Sequence, residues 1–204
     1  METGKIAIKA LLDAARVSLE NGDYKQSVDR YTQAQTIDPN EVSFNDWNGI
    51  CWIGIFNNHA AEVMKACENT LIVSNNDELF RGARGVARAM TGDKAGALED
   101  FEAFIRLANQ QLKDSPTEKD QLLLETVILQ WQHWIEQLRN GENPFTRSNL
   151  AMLREGLTAL DTGFGFDPYY VGQVTENHKD PYLFIKRLLR GRTVSQPKNE
   201  SLGF

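Results

Sequence analysis

The chain has 204 residues, 41% hydrophobic and 25% charged, with two cysteines, three histidines and a net charge of −6. That composition suits a packed core and excludes wholesale disorder, a disulfide framework and a zinc cluster. The charge is uneven: from Lys179 onward it is +4, leaving −10 for the remainder, and an acidic body is poorly suited to coating nucleic acid.

No apolar run approaches the roughly 18 residues of a membrane-spanning helix. The N-terminal stretch METGKIAIKALLDAARV lacks the apolar core and small-residue cleavage site of a signal peptide. The expected location is cytoplasmic.

Three segments then align at a period of about 34 residues, the length of a helix-turn-helix unit. The first ends in GDYKQSVDRYTQAQTIDPN (22–40), the second is WNGICWIGIFNNHAAEVMKACENTLIVSNN (47–76), and the third holds GDKAGALEDFEAFIRLA (92–108). Gly22 and Gly92 open Gly-Asp steps at a tight turn between two helices, where a residue free of Cβ strain is useful, and Asn58 takes the equivalent place in the middle unit. Small or slender residues follow at Ser27, Val63 and Ala97. Larger ones come four later at Tyr31, Cys67 and Phe101, a helical and not a strand spacing. Pro39 ends the first unit, because proline cannot continue a helix interior.

After the repeats, Ser115, Pro116 and Glu118 read as a helix start. The helix should run to Arg139 with Leu123, Val127, Ile128, Trp131, Trp134, Ile135 and Leu138 as its apolar stripe, and cover the last repeat. Pro144 breaks the chain and Thr146 begins a short helix near 148–155. Residues 156–178, rich in glycine and aromatics, read as an irregular packed arm. A final amphipathic helix is expected at 181–190 and a disordered tail at 192–204. The expected units are thus 1–140, 141–191 and 192–204.

The residues Gly22, Asp23, Tyr24, Tyr31, Ala34, Pro39, Trp47, Leu71, Gly85, Gly92, Asp93, Ala97 and Phe101 make residues 8–111 resemble the tetratricopeptide-repeat (TPR) family. The strings CWIG…AAEVMKACENTL, RGARGVARAMTGDKAGALEDFEAFI and WIEQLRNGENPF are similar to a bacterial TPR subgroup found beside caspase-like peptidase and signalling-NTPase modules. The resemblance implies an all-α fold: a TPR superhelix of three helix-turn-helix repeats with a capping helix and a C-terminal arm. It also implies a non-catalytic adaptor that binds a partner protein; no cofactor is expected, and no metal either, since His59, His133 and His178 form no Cys/His cluster or H-x₃-H pair.

In that family the first helix of each repeat lines a concave groove. By repeat position the lining here is Lys9, Leu12, Arg16 and Leu19, then Asn45, Asn48, Trp52 and Phe56, then Leu79, Gly82, Val86 and Met90. Asn side chains suit a bound peptide backbone, and Trp52 and Phe56 suit apolar anchors. The other reading is that the chain's own arm, with Phe164, Phe166, Tyr169 and Tyr170, fills this groove. The family's chaperone-binding members grip a C-terminal carboxylate with Lys, Asn and Arg. The matching positions here are Leu12, Arg16, Gly49, Leu79 and Ala83, which disfavours that specialisation.

Arg81, Arg84 and Arg88 recur at helical spacing where the family has core residues. They either pair with acids such as Glu99, Asp120 or Glu125, or grip a carboxylate or phosphate on a partner. Glu99, Asp100 and Glu102 read as a solvated helix face. Lys186, Arg187, Arg190 and Arg192 make a second basic group, and the alternative function is a module gripping a phosphate-bearing ligand or nucleic acid. Cys51 and Cys67 should come close together across the middle hairpin as inert buried thiols; a disulfide between them is possible if the chain meets oxidant and is not expected in a reducing cytosol.

Overall fold

A computed structural model describes residues 2–114 and 118–159. Within them the chain is all-helical: α1 (Glu2–Glu20), α2 (Tyr24–Ile37), α3 (Phe44–Phe56), α4 (Ala60–Val73), a 3₁₀ turn (Glu78–Phe80), α5 (Arg81–Thr91), α6 (Lys94–Lys113), α7 (Glu118–Arg139) and α8 (Arg147–Ala159). None of these helices is long and apolar enough to cross a membrane.

The first six helices form three hairpins, α1–α2, α3–α4 and α5–α6. Their three turns are built alike. Gly22, Asn58 and Gly92 all have positive φ (80°, 65° and 94°). Behind each, the next amide reaches back to a carbonyl five residues earlier: Asp23 to Ser18, His59 to Gly54 and Asp93 to Arg88, at 2.8–2.9 Å. This Schellman closure satisfies helix-end carbonyls and reverses the chain within two residues. Gly141 (φ 83°) ends α7 in the same way, with Glu142 N donating to Gln137 O. The middle hairpin also has a defined start, where Ser43 and Asp46 form a reciprocal capping box at α3.

Side chains at matched positions hold each hairpin together. Ser27, Val63 and Ala97 are fully buried, as are Tyr31, Cys67 and Phe101 four residues on. Successive hairpins stack through α2 on α4, α3 on α5 and α4 on α5. Tyr31 meets Trp47 across the first junction, with ring centroids 5.7 Å apart.

Within the middle hairpin the approach is closest at Gly54, where an added Cβ would lie 2.9 Å from Val63 Cβ and closer still to its methyls. A β-branched neighbour cannot swing aside. Gly54→Ala is therefore expected to cost about 1–3 kcal/mol through overpacking, more than helix propensity returns, and urea denaturation of the variant measures it.

α7 covers the last hairpin. Its Trp131 packs against Phe101 (5.0 Å) and Phe104 (4.5 Å), and reaches Gly82 of α5, where an added Cβ would lie 2.8 Å from Cη2. Val127, Ile128, Trp134, Ile135 and Leu138 are buried with it. Pro144 and Phe145 are buried too, and Phe145 lies 5.2 Å from Trp134 and 5.8 Å from Phe101. α8 then packs on α3, well back along the chain.

One boundary differs from the sequence expectation. α8 is helical from 147 to 159, so residues 156–159 belong to it and not to an irregular arm. The expected segments at 160–178, 181–190 and 192–204 lie outside the described residues.

Candidate functional site

The face carried by the first helices is the candidate site, and its residues separate into three groups. Lys9, Arg16 and Asn45 are exposed. Lys9 Nζ is 2.7 Å from Asp13, whose carboxyl is held below the usual carboxylate range first by that hydrogen bond and then, against burial, by the charges of Lys9 and Arg16. Leu12, Leu19, Phe56, Leu79 and Met90 are half-buried against the core. Asn48 and Trp52 are buried, and Trp52 stacks on Phe56 at 5.3 Å and 19°.

Val86 is a correction: it is 0% exposed and belongs to the core, not to a groove lining. Gly82, Ala83, Gly85 and Ala87 are buried around it. α5 is enclosed by α3, α4, α6 and the Trp131 ring, so it has little free surface.

The three arginines of α5 converge on one acid. Arg84 grips Asp100 through two bonds, Nε to Oδ2 at 2.8 Å and Nη2 to Oδ1 at 2.6 Å. Arg88 Nη1 adds a third to Oδ2 at 2.9 Å, and Arg81 Nη1 stands 3.7 Å from Oδ1. Glu99 flanks Arg81 at 3.7 Å and Asp93 flanks Arg88 at 3.5 Å. The Arg84 guanidinium is held protonated above its ordinary range, first by the hydrogen bond to Asp100, with burial opposing and the charges of Asp100, Glu68 and Glu99 adding.

Asp100 is thus not on a solvated face. Its side chain is 0% exposed, while that of Glu99 is 72% exposed. The signal was in the spacing: Asp100 stands three residues after Ala97 and four before Phe104, on the buried stripe of α6.

Cys51 and Cys67 are a second correction. They are joined in a disulfide between α3 and α4, both buried, with Cα atoms 4.9 Å apart. Facing positions of a close-packed hairpin satisfy the separation that a disulfide requires. His59 is engaged elsewhere: its ring lies 4.5 Å from Tyr24 and its Nδ1 2.7 Å from Glu62. That contact holds the Glu62 carboxyl below its usual range, and burial pushes the Tyr24 phenol up. The basic residues Lys186, Arg187, Arg190 and Arg192 lie outside the described residues.

The fold and this face define a class, an all-helical protein of stacked αα-hairpins closed by a covering helix. No family model matches the chain, and no curated protein or solved structure matches it either.

Proposed function

We propose that the chain is a non-catalytic adaptor of the TPR type, which holds a partner protein on the face formed by its first helices. The observation that carries this reading is the threefold recurrence of one hairpin closure, at Gly22, Asn58 and Gly92. Stacked repeats of that kind make an extended, rigid surface, and a rigid surface loses little entropy on binding. Half-buried Phe56, stacked on the buried Trp52, supplies aromatic area there, Asn45 supplies an accessible polar group on the same helix, and Lys9 is exposed on α1. The resemblance to a bacterial subgroup found beside peptidase and signalling-NTPase modules makes such an assembly the place to seek the partner.

Affinity capture from the native host with the full-length chain tests this. One protein should be recovered stoichiometrically, resist nuclease and persist from low to moderate salt. Asn45→Arg combined with Phe56→Ala should reduce its recovery at least tenfold, as loss of a central anchor does (about 1.4 kcal/mol or more). Nuclease-sensitive or steeply salt-dependent capture would instead favour phosphate recognition by the basic C-terminal residues and would sink the adaptor reading.

A further inference from the structure

The helix that returns to α3 says what kind of partner the face accepts. α8 leaves the covering helix α7 at Gly141, passes Pro144 and Phe145, and lies against α3 of the middle hairpin. α3 is already packed on α4 and α5, so α8 is an added neighbour on the helix that carries Asn45, Asn48, Trp52 and Phe56. Leu150 and Leu153 of α8 are each 4% exposed and belong to the same apolar cluster as Trp52. They stand at i and i+3, the spacing with which an amphipathic helix seats itself in a groove.

Phe145 is wedged between Trp134 and Phe101, and Pro144 beside it is buried, so the base of α8 is fixed to the covering helix. The polar bonds at the start of α8 tie Asn149 to Thr146 and to Pro144 of that base. Asn149 N donates to Thr146 Oγ at 3.3 Å, and Asn149 Nδ2 donates to Pro144 O at 2.6 Å. Among the described side chains of α8, Leu150 and Leu153 are the buried apolar ones, and a helix near the end of the described residues can open below the global unfolding free energy.

We infer that α8 is a built-in occupant of the α3 face, and that the partner recognised there presents an amphipathic helix which displaces it. This rests on the adaptor reading and adds the partner's chemistry and its regulation. The partner offers apolar residues at i and i+3 in helical form, not an extended peptide, and binding is held in check until α8 swings out about its Phe145 anchor. Occupancy by α8 weakens the partner's apparent affinity by the fraction of molecules in which the face is open.

The test uses the full chain and needs no native partner. A fluorescein-labelled peptide of residues 144–159 is titrated against the wild-type protein and against Leu150→Glu/Leu153→Glu, with anisotropy as the readout. The variant should bind the peptide at least about tenfold more tightly than the wild type, because its own α8 no longer competes. A peptide carrying the same two glutamates should bind neither protein. Equal binding to both proteins, or none to a variant that circular dichroism shows folded, overturns the inference.

Should the variant not fold, hydrogen exchange on the unaltered chain decides the question. α8 amides exchanging well before those of α3 and α6 support displacement, and α8 exchanging only with global unfolding overturns it. Failure here removes the α8 mechanism and leaves the adaptor reading to its own capture experiment.

Discussion

Asp100→Ala should lower the stability of the protein by about 3–5 kcal/mol, the cost typical of removing one partner from a buried ion pair. Asp100 is 0% exposed, and the side chains of Arg81, Arg84 and Arg88 are only 16–23% exposed. Without the carboxylate, the paired Nε and Nη2 donors of Arg84 lose their acceptors together, and the Nη1 of Arg88 keeps only the longer bond to Gly96 O at 3.3 Å. Glu99 and Asp93 cannot replace it, because they meet only the outer arginines at 3.5–3.7 Å and their side chains are 72% and 53% exposed. Water can reach the partly exposed guanidinium groups, which places the loss toward the lower end of the range. Asp100→Asn keeps the shape and one acceptor, so it should fall between wild type and Asp100→Ala. At about 2–4 °C per kcal/mol for a chain of this size, the Ala variant should melt at least about 6 °C lower. A loss below about 1 kcal/mol in urea would mean that the arginines are satisfied by solvent and that Asp100 is not their anchor.

The same cluster shows where the sequence was readable and where it was not. The hairpin turns were legible because a left-handed residue is a local requirement. Gly22, Asn58 and Gly92 carry it without reference to anything distant. The stripe of α7 was legible for a similar reason, since periodicity within one helix marks its buried side. Asp100 was misread because charge was weighed ahead of its place on the α6 stripe. Val86 was misread because a register borrowed from a family says which helix face usually lines a groove, whereas its burial here depends on how α3, α4, α6 and Trp131 enclose α5. The return of α8 to α3 is a non-local event. Its amphipathic pattern identifies a helix needing a partner but not which helix it finds.

Loss of the disulfide is the other change of large expected effect. The Cys51–Cys67 bond spans a separation of 16 residues and ties α3 to α4. In the chain-entropy account, cross-linking a loop of that length stabilises the fold by about 3 kcal/mol, mainly by restricting the unfolded ensemble. Cys51→Ala/Cys67→Ala should therefore melt roughly 6–12 °C below the oxidised wild type, with the small cavities left by two buried sulfurs adding to the loss. A reductant should lower the wild-type melting temperature toward that of the variant and leave the variant unchanged. Both cysteines are buried (0% and 1% exposed), so reduction of the native protein should be slow and should accelerate in sub-denaturing urea, where the hairpin opens. Thiol titration of the unfolded, unreduced protein should find no reactive cysteine. Two reactive thiols, together with a melting temperature indifferent to reductant, would return Cys51 and Cys67 to the inert packed pair that a reducing compartment implies. Because α3 bears both the proposed partner face and the seat of α8, the bond also fixes the helix on which each depends. The double-alanine variant should accordingly show faster exchange in α3 and α4 than in α6 and α7, a regional change that uniform loss of stability does not produce.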